Sequence, residues 1–375
     1  MAGGTFRVAT ADKEKRRVGR RIVRACLRLA AAGLVVWVVW QAGWNDRVRT
    51  PDGRTHTGRV IAVEGNEVRL ATSDGETRLV VDGPKAVRYG LRQPLATLRR
   101  RPWLLVAGVL LQLGGILVSF VRWGGLLAGA GLAVRRGVLM RLGFLGQFFA
   151  AVLPGGAGAG DIVKAFYVAR HHASAATRAV LTVVLDRMVG IVVLSLIAVA
   201  GALGAPPGSR LADARFALLG CVALGGAGCA LVFSTRLRAR LGVDWLLARL
   251  PFRGVVEEVH AAIALYATRP GVLAKAAGIT LVSQAFTLGA LAVFGSAFGE
   301  PFSMTAALVA VPVATLVSAV PGLPGGWGVG DAAFFYFLPA AGVAPAQALA
   351  VSFCYRGVQT LLALPGGLWI AGVKR

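Results

Sequence analysis

Long apolar blocks recur along this chain and are separated by basic or Gly-rich stretches. About twenty consecutive apolar residues are needed for a helix to cross the hydrocarbon core of a bilayer. Only 15% of the residues are charged, compared with about a quarter in soluble domains. The sequence therefore predicts an all-α polytopic membrane protein, a helical bundle. The blocks long enough to span a membrane are 25–43, 103–121, 179–203, 214–234, 272–298 and 346–373.

The net charge of +24 indicates membrane orientation and not nucleic-acid binding. Most Lys and Arg residues lie between apolar blocks, and 122–141 and 235–270 are two basic loops among these segments. Cytoplasmic loops are enriched in these residues, which also attract anionic lipids. We expect a multi-pass protein of a bacterial-type cytoplasmic (inner) membrane. Its basic segment 1–24 and its C-terminus should both be cytoplasmic, and the first helix, 25–43, should be uncleaved because no small-residue cleavage site follows it.

Residues 44–101 form a polar insertion that precedes the main transmembrane region, 102–375. Within the insertion, Gly58–Val63 and Val68–Thr72 are short β-prone runs bounded by turn-forming residues. We predict a small antiparallel β-rich unit on the extracytoplasmic side, with an SH3-like arrangement as one option. The four cysteines fall in apolar stretches without metal-ligand spacing, so neither a metal site nor a cofactor is expected.

One Gly-rich motif occurs twice, 170 residues apart. The copies Pro154–Asp161 and Pro324–Asp331 both read P-G-G-x-G-x-G-D, with six of eight positions identical. An Arg follows each copy at nearly the same distance, Arg187 after the first and Arg356 after the second. Agreement in both the motif and the downstream Arg indicates an internal duplication.

The two motif units, 142–203 and 303–373, are predicted to have opposite orientations in the membrane. Residues 142–153 would make only about 18 Å of helix against a core of about 30 Å, so the first motif is placed at the tip of a re-entrant hairpin. The second hairpin is either re-entrant or fully spanning. Broken helices at matching positions of inverted halves point to a transporter's binding site.

Charged side chains at membrane depth should face the protein interior and pair, because each is costly in contact with lipid. We predict that Arg187 and Arg356 bind a phosphate, and that Asp161 and Asp331 receive a cationic group or a proton. The alternative is that Asp161–Arg187 and Asp331–Arg356 are purely structural ion pairs. The motif glycines would supply backbone donors and hinge freedom. They are Gly156, Gly158, Gly160, Gly326, Gly328 and Gly330.

Four further residues are secondary candidates. Asp186 has no acidic counterpart in the second unit, where Tyr355 occupies the matching position. We therefore expect a structural role for Asp186. Lys164 is expected to extend its ammonium toward the membrane interface. Arg122 follows the span 103–121, and Trp327 lies within the second motif. No catalytic residue is assigned.

At these residues the chain resembles the lysylphosphatidylglycerol synthase/flippase-like transmembrane family. The resemblance covers roughly 95–375 and rests on Arg122-Trp123, Leu153–Asp161 with Lys164, Asp186-Arg187 and Pro321–Asp331. It implies a polytopic fold and a role in moving or handling lipids such as aminoacylated phosphatidylglycerol. Three features depart from the family pattern. We expect this chain to lack the soluble synthase domain of the lipid aminoacyltransferases. Asp186 and Asp331 occupy positions where relatives often carry Glu, and the 44–101 insertion is not part of the usual pattern.

The predicted function is a lipid flippase-like transporter, not an enzyme, that binds an anionic or aminoacylated phospholipid headgroup between the two motif units. One alternative is a small-solute or ion transporter. Others are a membrane enzyme acting on lipid-linked substrates and a membrane scaffold without transport. The oligomeric state is open, with a homo-oligomer as one option, and nucleic acid is not an expected partner.

Overall fold

The fold combines a small β-sheet with a bundle of apolar helices. The computed structural model describes residues 45–64, 66–72, 75–83, 86–88, 90–132, 134–153, 155–171, 176–204, 240, 266, 268–303, 306–318 and 327–369. The predicted spans 25–43 and 214–234 lie outside this described part, as do Pro321–Gly326 and most of the loop 235–270.

The segment after residue 45 forms an antiparallel sheet in the order β4-β3-β2-β1-β5. The expected β-prone runs fall within β2 and β3, which pair with each other. Alternate strand positions are apolar, and their side chains form a small core centred on Val48, Val68 and Leu70. The strands are β1 (Asp46–Arg49), β2 (Thr55–Glu64), β3 (Glu67–Thr72), β4 (Gly75–Val80) and β5 (Val87–Arg88).

Helices make up the rest of the described chain, and three of them are long and apolar enough to cross a membrane. These three are α2, α5 and α6, with mean hydropathies of 2.4, 2.3 and 1.7. The helices are α1 (Arg92–Arg100), α2 (Pro102–Gly129), α3 (Arg136–Val152), α4 (Ala157–His171), α5 (Ala176–Leu203), α6 (Pro270–Phe298), α7 (Val311–Ser318), α8 (Val329–Ala340), α9 (Pro345–Ala363) and α10 (Pro365–Leu368). A π-helical turn, Ala306–Ala310, leads into α7.

Helices α2 and α6 pack closely along their lengths and run antiparallel. Gly108, near the start of α2, faces Phe294 near the end of α6, and Gly129 at the end of α2 faces Val272 near the start of α6. Glycine at these contacts leaves room for the opposing side chain. The close approach of small residues is the usual means by which membrane helices associate.

The same succession of elements occurs twice. Each copy consists of a long helix, a helical hairpin with the Gly-rich motif between its arms, and a further helix. The first copy is α2-α3-α4-α5 and the second is α6-α7-α8-α9. The contacts are reciprocal: α5 packs against α7, whereas α9 packs against α3. Each unit therefore packs its last helix against the first hairpin arm of the other unit.

Two element boundaries differ from the predicted ones. Helix α3 begins at Arg136, not near Leu142, because the intervening residues include no Pro and continue the helix. Its 17 residues make an arm of about 26 Å, longer than expected. The predicted span 346–373 ends earlier, at Ala363, since Pro365 cannot continue α9 and begins the short α10 instead.

Candidate functional site

A cavity of about 440 Å3 lies among the helices of the two units. This volume falls within the usual range for small-molecule sites. Helices α2 to α7 and α9 contribute to its lining. The first Gly-rich motif supplies Gly158, Gly160 and Asp161 to the lining, and α5 supplies Asp186 and Arg187.

The first predicted ion pair is present and borders this cavity. Arg187 Nε on α5 donates to Asp161 Oδ2 on α4, and Arg187 Nη2 lies 3.5 Å from the carbonyl oxygen of Ala157. The Asp161 side chain is only 11% exposed, whereas the Arg187 side chain is 46% exposed. The carboxylate is therefore held within the bundle, whereas about half of the Arg187 side chain is accessible.

Lys164 is placed differently from the expectation. Its Nζ lies 2.8 Å from Asp161 Oδ1, and the side chain is 13% exposed. The same ammonium stands 5.1 Å from the ring centroid of Trp123, at cation–π distance. Lys164 thus lies within the cavity lining and does not reach toward the interface, because the Asp161 carboxylate one helical turn earlier on α4 attracts it.

Arg122 and Asp186 form a second ion pair in the cavity wall, which spacing along the sequence did not predict. Arg122 donates from Nε to Asp186 Oδ1 at 2.7 Å and from Nη2 to Oδ2 at 2.9 Å. Arg122 Nη1 also donates to Thr280 Oγ1 at 3.2 Å. Both side chains are buried, and this two-point contact joins α2 to α5. The structural role expected for Asp186 agrees with this geometry.

The charged groups among the described residues of the cavity lining do not balance. Of these residues, Arg122, Lys164 and Arg187 contribute three positive charges, whereas Asp161 and Asp186 contribute two negative ones, so their net charge is +1. An isolated charge inside a helical bundle is costly, and a bound anion would neutralise it. This excess charge favours a singly anionic group as the ligand.

A row of polar groups extends the cavity along α2. Gln112, Ser119 and Arg122 all line it, and Arg122 lies ten positions after Gln112, which corresponds to about 15 Å of helix. Gln112 is 3% exposed, and its Oε1 atom has no hydrogen-bond partner in the described part of the chain. A buried acceptor without a donor costs about 1–3 kcal/mol. A ligand that carries a donor would remove this cost.

The glycines of the first motif serve conformation and packing more than anion binding. Gly155 and Gly156 have φ values of 101° and 54°, which form the turn between the hairpin arms. Gly160 lies where an added Cβ would be 2.2 Å from the carbonyl oxygen of Gly146, so it lets α4 approach α3.

The predicted backbone donors are largely used within the motif. The N–H groups of Gly156, Gly158 and Gly160 donate to the carbonyls of Leu153, Gly155 and Gly156. In the structure these three N–H groups are therefore not free to bind a ligand, because the local turn and the first turn of α4 take up the donors. Gly158 and Gly160 still line the cavity.

The second predicted pair is present but closed off. Arg356 Nε donates to Asp331 Oδ1 at 2.9 Å, and the two side chains are 3% and 0% exposed. Asp331 also accepts from Ser352 Oγ at 2.5 Å and from the Gly328 N–H at 2.9 Å, which caps α8. Neither Asp331 nor Arg356 is among the described residues that line the cavity. The prediction that both Arg residues face one site is not supported by this placement.

The asymmetry between the units can be read from two aligned positions. Lys164, three residues after Asp161, corresponds to the buried Phe334, three residues after Asp331. Val183, four residues before Arg187, corresponds to Ser352, four residues before Arg356. The first unit therefore has an extra cation beside its carboxylate. The second has an extra hydroxyl donor and an aromatic side chain that excludes polar groups.

The remaining residues of the second motif have packing positions. Gly328 has a φ of 85°, a left-handed conformation suited to glycine, and Gly330 is buried. The ring of Trp327 lies 5.9 Å from that of Phe353 on α9. Gly326 lies outside the described residues.

Several uncharged cavity residues were not predicted from the sequence. Most of them lie on α2, α6 and α9. The sequence did contain a signal for them, because each is a polar residue inside an apolar helix, and such residues usually face the protein interior. Within the described ranges, no group of three His, Cys, Asp or Glu side chains is arranged to hold a metal ion. The missed residues on these three helices are Gln112, Ser119, Ser283, Gln284, Thr287, Tyr355 and Gln359, and Gln147 on α3 and Thr315 on α7 were missed as well.

Comparison with known proteins identifies the family. No curated protein and no solved structure shows significant similarity to the chain. The family model described as "Lysylphosphatidylglycerol synthase TM region" matches residues 85–367, about three quarters of the chain. The match includes α1 and every described residue of the cavity lining, whereas most of the β-sheet precedes it. The chain therefore belongs to the family of lysylphosphatidylglycerol synthase transmembrane regions.

Proposed function

We propose that this protein is a transporter that moves a phospholipid between the two leaflets, holding its headgroup in the cavity between the motif units. The observation that carries the proposal is the net charge of +1 among the described lining residues of the cavity, together with the half-exposed side chain of Arg187 at its edge. A phosphodiester carries one negative charge and would neutralise this excess. The family relation, to membrane proteins of lipid metabolism or transport, supports a lipid as the source of that phosphate.

Arg187 and Lys164 are the proposed phosphate ligands. Both already contact Asp161, which would orient them and limit their movement, so less side-chain entropy is lost when a ligand binds. Arg122 is occupied by Asp186 and Thr280 and would contribute mainly its charge. At the other end of the polar row, Gln112 Oε1 would accept a hydrogen bond from a hydroxyl or ammonium group of the ligand.

Movement of the headgroup would depend on the two units. Their reciprocal packing, α5 on α7 and α9 on α3, is consistent with a two-fold relation between halves. We propose that the units are inverted, that their hairpins enter the membrane from opposite sides, and that rocking of one against the other alternates access to the cavity. In this arrangement the chain would lie in a cytoplasmic membrane with both termini on the cytoplasmic side.

Asp331 and Arg356 have a different role in this proposal from the one that the sequence suggested. Their pair, sealed within α8 and α9, would hold the second unit rigid while the first unit binds the ligand. Breaking a buried pair by removing one partner typically costs about 3–5 kcal/mol. Variants at these two positions should therefore lose stability before they report on transport.

A liposome assay of lipid movement tests the proposal. The Lys164→Gln/Arg187→Gln double variant removes both proposed phosphate ligands, and Arg141→Gln removes an exposed Arg of α3 outside the cavity. Because a hydrogen bond to a charged group contributes about 1.5–3 kcal/mol, we expect the rate to fall at least tenfold in the double variant and to stay near wild type in Arg141→Gln.

The controls separate transport from the other functions. The double variant should melt below the wild-type protein, because the buried Asp161 loses both of its cationic partners. Lipid movement is therefore compared below the melting transition of each protein and at equal amounts of folded protein by elution, so that lost movement is not lost folding. Mass spectrometry of the liposomes should find the lipid chemically unchanged, because a modified lipid would support a membrane enzyme. Unchanged lipid movement in a folded double variant would overturn the proposal.

A further inference from the structure

We propose that the cleft between β2 and α1 is a second anionic site, which binds the phosphate of a lipid headgroup at the membrane surface. This inference is independent of the cavity and of the proposed transport. It rests on three arginines that have no acidic partner among the described residues, on one lining carboxylate that is already bonded to backbone N–H groups, and on the position of α1 next to a membrane-crossing helix.

The arginines come from two elements that face each other across the cleft. Arg92, Ala96 and Arg100 are four residues apart along α1 and therefore share one helix face. Arg59 on β2 lines the opposite wall. The cleft has a volume of about 660 Å3, which is enough for a phosphate group and its substituents.

These arginines have no acidic partner in the part of the chain that the structure describes. Asp46 is the only carboxylate among the described lining residues. It is 2% exposed, and its two oxygens accept from the backbone N–H groups of Val60 at 2.8 Å and Gly90 at 2.6 Å. Asp46 thus joins the sheet to the chain that leads into α1, and the cleft keeps a net charge of +2.

The position of α1 favours a membrane lipid over a soluble anion. Only Arg101 separates α1 from the membrane-crossing helix α2. Leu98 of α1 packs against the core of the helical bundle, while Leu95 is 43% exposed. Trp103, at the start of α2, is 65% exposed, and exposed Trp residues mark the headgroup level of a bilayer. Arg100 lies three residues before it, within reach of lipid phosphates.

Photo-crosslinking of the full-length protein tests this site. The protein would be reconstituted in phosphatidylcholine bilayers that contain about one percent of an anionic phospholipid with a photoreactive group near its phosphate. Adducts would be mapped by peptide mass spectrometry, so that adducts on 90–101 are counted separately from adducts on cavity helices. Failure of this inference is therefore distinguishable from failure of the proposed function.

The comparison uses two double variants of equal charge. Arg92→Gln/Arg100→Gln alters the cleft, whereas Arg54→Gln/Arg78→Gln alters exposed arginines outside it, one in the turn before β2 and one on β4. Since each basic residue near an anionic surface contributes about fivefold in binding, we expect adducts on 90–101 to fall about 25-fold in the first variant and little in the second. Labelling of the cavity helices should be unchanged in both.

Three outcomes would overturn the inference. Equal loss in both variants would show that net charge and not the cleft attracts the lipid. Labelling of 90–101 that is insensitive to the first variant would show that the arginines do not bind. Millimolar inorganic phosphate could also abolish the labelling of 90–101, and the labelling could show no preference for the anionic lipid over a zwitterionic probe of the same design. These two results together would assign the cleft to a soluble anion.

Discussion

The contact between α3 and α4 at Gly160 allows a sharp test of how the cavity is built. A Cβ at Gly160 would be 2.2 Å from the carbonyl oxygen of Gly146 and 2.9 Å from the Cβ of Ala150, where ordinary contacts are 3.4–4 Å. The nearest atom belongs to the backbone of α3 and cannot rotate away. In Gly160→Ala, α4 must therefore move by about 1 Å, and it carries Asp161 and Lys164 with it.

The magnitude follows from two opposing effects. Overpacking of this kind costs about 1–3 kcal/mol, while Ala is favoured over Gly within a helix by up to about 1 kcal/mol. We expect a net loss of about 1–2 kcal/mol for Gly160→Ala. The matched control is Gly158→Ala on the same helix, where an added Cβ meets nothing within 4 Å. This control should be neutral or slightly stabilising.

Heating of the detergent-solubilised variants, followed by size-exclusion measurement of the folded fraction, gives the comparison. Gly160→Ala should melt a few degrees below wild type and Gly158→Ala at or above it. Gly160→Ala should also move lipid more slowly, because it displaces two charged residues of the cavity. If Gly160→Ala were as stable as Gly158→Ala, the close approach of α3 and α4 would be refuted.

Further predictions concern single polar groups. Arg356→Gln leaves the Asp331 carboxylate buried without its cation and should lower the free energy of unfolding by about 3–5 kcal/mol. Arg187→Gln, at a half-exposed position, should lower it by about 1 kcal/mol or less. Equal melting temperatures of the two variants would contradict the assigned burial. Gln112→Leu removes a buried acceptor without a partner but also the amide group that interacts with the buried Tyr355 hydroxyl. These two effects on stability should largely offset each other while lipid movement falls, and unchanged movement would exclude Gln112 from the site. Tyr266→Phe removes the bond from the hydroxyl to a carbonyl of α2 at 2.6 Å and should cost about 1 kcal/mol in thermal unfolding at pH 8. Burial raises the pKa of Tyr266 to about 12, above its ordinary 10.0, so this stabilisation should be complete below pH 10 and decline toward pH 12; a loss that begins near pH 8 would contradict it.

Much of the helical architecture could be predicted because membrane insertion leaves a strong pattern in the sequence. The three membrane-length helices correspond to blocks that apolar length alone identified, and the β-prone runs of the insertion form paired strands. Helix ends were harder to place. Arg136–Arg141 is basic enough to suggest a loop, yet nothing in it stops a helix, and α3 includes it.

The site was predicted in part. The duplication paired Asp161 with Arg187 and Asp331 with Arg356, because equal spacing after two copies of one motif implies equal geometry. The contact of Arg122 with Asp186 joins residues 64 positions apart on helices whose packing no local pattern specifies. Duplication also suggested equal roles for the two units.

The difference between the units arises from side chains outside the motif. Lys164 and Phe334 occupy matching positions, and only the former adds a charge beside its carboxylate. Comparison of the copies beyond Asp161 and Asp331 would have indicated that the first unit has the more polar environment. The exposure of Arg187 and the closure around Arg356 depend on packing between helices and required the structure.

The identity of a bound lipid tests the central claim most directly. Native mass spectrometry of the gently purified full-length protein should find a phosphate-bearing lipid retained on the wild-type chain and on Arg141→Gln. The same lipid should be largely absent from Lys164→Gln/Arg187→Gln, because that variant changes the cavity charge from +1 to −1. Equal retention of this lipid by all three proteins, or retention of a soluble solute in its place, would contradict the assignment of the cavity to a phospholipid headgroup.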